Sequence, residues 1–457
     1  MTAAETMPRR AFAVWWKEFD RWDVKYFTAR VRSTFPIVQL ASLISEHSER
    51  VKPFDFPDKQ FRILGVSNDG GVFHAYDCLG KEINQPYQRV DADDFTYNPY
   101  RVNVGSIGIV PEEMGGNFIS PAYVIFSTDK ARLLPAFLLL ILKSDWFNPI
   151  LRAATAGSVR QNLTFDLLGT LQIPLPPLVE QKAIVARWRE TQKQIAAARA
   201  RVEKKKAEID TRFFADLGLN APAQTTLPKV LAVWWKDFLR WGVNFNQLKQ
   251  TGLDITQGKF SVVELESILD LVQYGTSEKA NIKSDGVAVV RMNNIVDGEF
   301  DLSNLKHLQL SDAETKKLLL KDGDILFNRT NSKELVGKCA VFHAKGDYVF
   351  ASYLIRVCAS PEKADPDFLA YVINCPIGRQ QINALSRQII GQANVNSEEL
   401  RGLQIPLPPL PVQREIMARV AAGRAAIARE RAAAARLAVE SDAEIEARIL
   451  GTKPTTI

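Results

Sequence analysis

Eight residues occur twice in this chain, and they constrain its fold more than any other feature. Leu171-Gln-Ile-Pro-Leu-Pro-Pro-Leu178 returns 232 residues later as Leu403-Gln-Ile-Pro-Leu-Pro-Pro-Leu410. Identical octapeptides at matching places in the two halves mean that one unit has been used twice and ends the same way each time. Proline fixes φ and restricts the residue before it, so the octapeptide is an extended strap that cannot be helical. The next segment starts cleanly after it: Val179-Glu-Gln-Lys-Ala-Ile184 in one copy, Pro411-Val-Gln-Arg-Glu-Ile416 in the other.

Both of these segments read as long charged helices. Apolar or small residues recur in steps of three and four at Ile184, Trp188, Thr191, Ile195, Ala198, Val202 and Ile209. The second copy places Ile416, Val420, Gly423, Ile427, Ala434 and Leu437 in the same way. That spacing is a seven-residue seam. A helix over 179–214 would run about 54 Å at ~1.5 Å per residue. The alanine-rich seams suit close approach and predict that the two helices pack on each other as an antiparallel coiled coil; pairing of each with another chain is the alternative. Residues 215–230, with Gly218 and Asn220-Ala-Pro-Ala-Gln, read as a linker back to the second unit.

Ahead of each strap, short β-branched and aromatic runs lie between glycine turns. In the first unit they are Phe61–Val66 and Ala122–Phe126, then a helix over Pro135–Lys143. In the second they are Val287–Arg291, Asp324–Phe327, Gly337–Phe342 and Tyr353–Val357, then a helix from near Asp367. This is mixed α/β patterning. Anchors recur between the units: Pro135-Ala-Phe-Leu138 with Pro366-Asp-Phe-Leu369, and Arg101-Val-Asn103 with Arg329-Thr-Asn331. After the latter pair Val104-Gly105 matches Val336-Gly337, with four more residues in the second copy. A further repeat, Ala13-Val-Trp-Trp and Ala232-Val-Trp-Trp, reads either as a helical turn packed into its own domain or as a docking segment for a partner. The expected class is α+β: two similar mixed α/β domains, separated and followed by long paired helices, with pseudo-twofold symmetry. The expected boundaries are 1–177, 178–216, 217–409 and 410–450.

With 457 residues, 46% hydrophobic and 24% charged, composition is that of a multi-domain globular protein. A net charge of +6 is compatible with a polyanionic partner but modest at this size. The four cysteines stand apart without a CxxC pair, which suggests neither a disulfide framework nor a zinc knuckle. The longest apolar run, Leu133–Leu142, is too short to span a bilayer, so a cytoplasmic location and no membrane partner are expected.

Catalytic constellations are few. Asn98-Pro-Tyr100 resembles the Asn/Asp-Pro-Pro-Tyr loop of amino-methyltransferases but lacks the second proline, and no glycine-rich turn for S-adenosylmethionine accompanies it. A nucleotide-binding GxxxxGK[ST] is absent, Pro57-Asp58 and Pro366-Asp367 lack an acidic-x-Lys partner, and the four histidines have no metal spacing. No cofactor, metal or catalytic residue is expected.

The distinctive feature is polar, cationic and aromatic density on predicted loops. The second unit offers Tyr274, Thr276, Ser277, Lys279, Arg291, Asn293, Asn294, Arg329, Asn331, Lys333, Gln392 and Asn394. The first offers Arg101, Asn103, Ser106, Arg160, Gln161 and Asn162. Arginine can be bidentate to guanine and Asn or Gln to adenine, while Ser, Thr and Lys take phosphates, so these are the side chains that read duplex DNA. Any one of them could simply build a turn.

The whole layout resembles the specificity subunit of type I restriction–modification systems. The resemblance rests on the doubled strap, on Gln181 and Gln413 after it, and on Arg101-Val-Asn-Val-Gly-Ser-Ile-Gly108 and Ser120-Pro-Ala-Tyr123. It rests also on Tyr274-Gly-Thr276, Arg291 with Asn293-Asn294, and Gly323-Asp-Ile-Leu326 ahead of Val336-Gly337. It implies two target-recognition domains, each reading half of a bipartite double-stranded DNA site, and paired helices that set the spacer. It implies two modification subunits that form an adenine methyltransferase with this chain, and restriction subunits that add translocation and cleavage; the chain itself would be non-catalytic. The first domain departs from the pattern in having no Tyr-Gly-Thr loop. A stand-alone methyltransferase or nuclease, and a coiled-coil scaffold without base recognition, remain the alternatives.

Overall fold

The computed structural model describes residues 31–68, 70–100, 105–154, 162–220, 232–235, 246, 252–280, 286–332, 335–385, 387–389 and 392–454. The chain divides into two compact units, residues 1–199 with 432–457 and residues 200–431. They share a topology.

In the first unit a four-stranded antiparallel sheet has the order Ile44–Glu46, Val124–Thr128, Phe95–Tyr97, Ile107–Ile109. Its inner face carries Phe95 stacked on Phe126 at 4.7 Å between ring centroids, and it packs on the helix Pro135–Leu142 through Phe137, Leu138 and Ile141, all fully buried. A second sheet of five strands includes the hairpin Gln60–Ser67 and Gly71–Leu79, with Phe118–Ile119 parallel to the former. In the second unit the four-stranded order is Leu269–Tyr274, Leu354–Ala359, Ile325–Asn328, Cys339–Val341. Its helix is Pro366–Asn374, and Val287–Val290 again pairs antiparallel with one strand and parallel with another, Tyr348–Phe350.

Strand register fixes which residues correspond, and it corrects one expectation. Phe95, Thr96 and Tyr97 pair with Ile109, Gly108 and Ile107; Ile325, Leu326 and Phe327 pair with Val341, Ala340 and Cys339. Asn98 therefore corresponds to Asn328, and Pro99, not Arg101, to Arg329. The next hydrogen bonds agree: Leu163 N–H donates to Pro99 O at 3.0 Å where Val395 N–H donates to Arg329 O at 2.9 Å. The second copy carries two extra residues before the glycine, not four. Gly105 and Gly337 do coincide, with φ of 87° and 82°, a left-handed conformation that favours glycine.

Each strap opens as a short strand, and its last leucine, Leu178 or Leu410, already begins the helix that follows. Gln172–Pro174 pairs antiparallel with Ile37–Gln39, and Gln404–Pro406 with Val262–Glu264. Ile173 and Ile405 are fully buried. Short helices capped by Thr164 and Asn396 lead into the straps.

Leu178–Leu217 and Leu410–Ile449 are unbroken helices of 40 residues each. Within each unit a stretch of one runs antiparallel to a stretch of the other, so pairing is within the chain. Ile184, Thr191, Ile195, Ala198 and Val202 are buried, as are Ile416, Val420 and Ile427. Trp188, Ile209, Gly423, Ala434 and Leu437 are half-buried. The seam goes on through Ser441, Ile445 and Ile449. Gly423 lets the helices approach closely: a Cβ there would meet Ile209 Cδ1 at 2.7 Å. Ion pairs flank the seam, Arg187–Glu444 at 3.1 Å in the first unit and Arg419–Asp216 at 2.8 Å in the second. Among the described residues no helix is long and apolar enough to cross a membrane.

Candidate nucleic-acid interface

The second unit gathers its candidate residues from four separate segments. Tyr274 ends the edge strand of the four-stranded sheet and is 40% exposed. Its hydroxyl accepts from Ser397 N–H at 3.0 Å, which holds the ring in place. Arg329 leaves the sheet just after the strand Ile325–Asn328, and its guanidinium carbon lies 4.9 Å from the Tyr274 ring centroid. That is within cation–π range. Arg329 Nη2 reaches Asn394 Oδ1 at 3.5 Å, and Asn394 sits opposite Thr330 in a small three-stranded sheet. Next along, Asn331 Nδ2 donates to Met292 Sδ at 3.3 Å, which joins the Arg291–Asn294 loop to the patch.

Other residues are placed less favourably for a ligand. Asn294 is 3% exposed; its Nδ2 donates to the carbonyls of Asp301 and Asn304 at 2.8 and 3.2 Å, and its Oδ1 accepts from Arg291 N–H at 3.0 Å. It builds its loop, leaving no donor for a base. Arg291 is half-buried with Nη2 on Asn304 O at 3.0 Å, whereas Asn293 is exposed. Thr276 is half-buried; its N–H donates to Phe350 O, and its Oγ1 accepts from Glu278 N–H at 3.2 Å. Ser277 and Lys279 are exposed. Gln392 lies on the strand Gln392–Asn394, and Lys333 lies outside the described residues.

In the first unit Ser106 is buried, and its carbonyl accepts from Asn98 N–H at 3.3 Å; it belongs to the sheet margin rather than to a loop tip. Asn162 is half-buried and corresponds to Asn394. Arg101, Asn103, Arg160 and Gln161 lie outside the described residues, as does the tryptophan repeat apart from Ala232–Trp235. Tyr100, 57% exposed beside Asn98, is a candidate that residue type alone did not single out.

At the opposite end of the strand that leads to each patch, a buried aspartate holds the preceding turn. Asp94 Oδ2 accepts from Asp91 N–H at 2.7 Å, and Asp324 Oδ2 from Lys321 N–H at 2.8 Å. The basic residue beside them differs: His47 at 2.8 Å from Asp94, Arg356 at 3.4 Å from Asp324. The Arg356 pair is buried and also bonds Leu319 O and Gln273 Oε1. It ties the sheet to the turn after the helix Asp312–Leu318. Among the described residues no group of three His, Cys, Asp or Glu gathers as metal ligands do.

After each strap a buried glutamine ties the long helix to its domain. Gln181 Nε2 donates to Arg132 O at 2.8 Å and Pro176 O at 2.9 Å, and its Oε1 accepts from Leu134 N–H at 2.9 Å. Gln413 repeats this with Lys363 O at 3.1 Å, Pro408 O at 2.8 Å and Asp365 N–H at 2.9 Å. Both side chains are fully buried.

A family model for the type I restriction modification DNA specificity domain matches residues 91–207 and 257–432, more than half of the chain. The chain belongs to that family. The specificity subunit of the type I restriction enzyme EcoKI from Escherichia coli K12 is 25% identical over 309 residues, 66% of this chain and 59% of that protein. The StySPI specificity subunit from Salmonella potsdam is 26% identical over 309 residues, again 66% of this chain and 58% of its own length. The chain thus aligns with under two thirds of these relatives. In fold, it is similar to a chain solved in work on complex assembly and conformational transition of the type I R-M system. That match has a TM-score of 0.57 at 17% identity and covers 92% of this chain and 98% of the other.

Proposed function

We propose that this specificity-family chain is the DNA-reading, non-catalytic subunit of a type I restriction–modification complex, acting in the cytoplasm. Each unit reads one half of a bipartite duplex site, and the paired helices fix the spacer between halves and dock two modification subunits; restriction subunits join that assembly. The observation that carries this reading is the duplicated junction. Twice, a sheet domain is closed by the same strap and clasped by the same buried glutamine to the start of a long helix. The domains at 1–177 and 217–409 are the readers, and the helices at 178–216 and 410–450 the spacers.

The mechanism is additive. Exposed cations such as Lys279 hold phosphates, with an affinity that falls steeply with salt, while Arg, Asn and Gln side chains discriminate bases by about 1–3 kcal/mol per good bidentate contact. Methyl transfer belongs to the modification subunits. Co-expression of the chain with its modification subunit, followed by mapping of methylated adenines across host DNA, tests this. A bipartite motif with a fixed gap is expected. Methylation without sequence preference would favour a scaffold, and methylation or cleavage by the purified chain alone would make it an enzyme.

A further inference from the structure

Arg329 is held on several sides and yet carries an uncompensated charge. Its backbone is fixed at both ends, N–H to Tyr353 O at 3.0 Å and O from Val395 N–H at 2.9 Å. Its guanidinium lies over the Tyr274 ring, with Cζ 4.9 Å from the centroid, and Nη2 reaches Asn394 Oδ1 at 3.5 Å. Its Nε is buried without a hydrogen-bond partner, and no carboxylate pairs with it among the described residues. Arg356, the other structured arginine of this sheet, has Asp324. The corresponding places in the first unit are different in kind. Pro99 stands at the position of Arg329 and Asn162 at that of Asn394. Matching the edge strands through their partners, Phe126 for Glu46 and Val357 for Val272, puts Ser48 at the position of Tyr274. Among the described residues, a cationic fork thus stands at this position in the second unit and not at the corresponding position in the first.

We infer that Arg329 is a specificity-determining residue of the second unit, reading a guanine through O6 and N7, with Tyr274 and Asn394 as its positioning residues. The inference rests on the reading of the chain as a DNA-specificity subunit and adds which base the second unit requires. The chemistry favours a base over a phosphate. A guanidinium held between an aromatic ring and an amide oxygen offers its two parallel N–H groups in a restricted orientation, and guanine presents two acceptors in one plane. A phosphate contact needs no fixed plane and would be served equally by lysine.

The test is the methylation motif of the assembled complex carrying the wild-type chain, Arg329→Lys, Arg329→Ala or Tyr274→Ala, with the unaltered half of the motif as the folding control. The wild type is expected to require a guanine at one position of one half-site. Arg329→Ala should lower discrimination at that base about 10- to 100-fold and leave the other half-site unchanged. Arg329→Lys should fail to restore it, and Tyr274→Ala should weaken it partially. The inference is overturned if Arg329→Lys retains the motif, if neither half-site requires guanine, or if Arg329→Ala weakens binding evenly across sequences and lowers the salt slope by about one, as a phosphate contact would. A wild-type complex that yields no bipartite motif at all would overturn the underlying reading instead.

Discussion

At the scale of single residues, the most telling contrast is between polar side chains that serve the fold and those left over for a ligand. Gln181, Gln413, Asn294, Asp94 and Asp324 are all buried, and all are engaged with backbone groups. Removing a glutamine would strand two carbonyls and one N–H in a site closed to water, at about 1–3 kcal/mol for each unsatisfied group. Gln181→Met, similar in size, is therefore expected to lower unfolding stability by on the order of 3 kcal/mol, and Gln413→Met likewise; a loss within ~0.5 kcal/mol in urea titration would show the clasp to be incidental. Residue type could not separate these roles. Asn293 and Asn294 are adjacent in sequence, but one is exposed and the other is spent on its own loop, because the 3-10 turn Met292–Asn294 turns successive side chains apart. Nor could it align the loops. Arg-x-Asn recurs by coincidence at 101 and 329, whereas the hydrogen-bonded strands beside it fix Asn98 on Asn328.

Among elements, the long helices were the most legible, since a seven-residue seam leaves a periodic trace. The second seam was read as far as Leu437, but its continuation through Ser441 to Ile449 was not, because alanine, serine and charged residues there mask the period. The straps were legible too, through proline. Charge pairs lock the helices at defined levels, and they make the pairing depend on pH. The guanidinium of Arg187, with help from Arg448 and Lys453, holds Glu444 at about 2, below its ordinary 4.5. A carboxylate with a depressed folded value contributes stability that is fully present above the unfolded value and is lost as pH falls through the folded one. The window is therefore pH 4.5 down to about 2. Glu444→Gln should be less stable than wild type at neutral pH, and the difference should vanish across that window. Parallel acid-unfolding curves from pH 6 to 2 that keep a constant gap would remove the ion pair from the account. Gly423 acts at the same scale by letting the helices close on Ile209.

For the molecule as a whole, duplication is the main point. The two units agree in the order of the four-stranded sheet, in a strand paired both parallel and antiparallel in the second sheet, in the glycine at 105 and 337, and in the clasp, while they differ where Pro99 stands against Arg329 and where His47 stands against Arg356 beside the buried aspartate. A scaffold kept twice with different loop chemistry is what a two-part recognition site, as proposed above, would require. The scaffold was visible in the sequence because proline straps, strand anchors and seams are local signals; the patch around Tyr274 was not, because it is assembled from segments as far as 123 residues apart.

The central claim, that two readers are held apart by a helical ruler, is tested most directly by shortening the ruler. Deleting residues 192–198 together with 433–439, opposite one another in the first unit, removes one heptad from each helix and leaves both clasps in place. The helices shorten by about 10 Å, about three base pairs at ~3.4 Å each. The methylation motif of the resulting complex should keep both half-site sequences and have a shorter gap; altered half-sites with an unchanged gap would contradict the account.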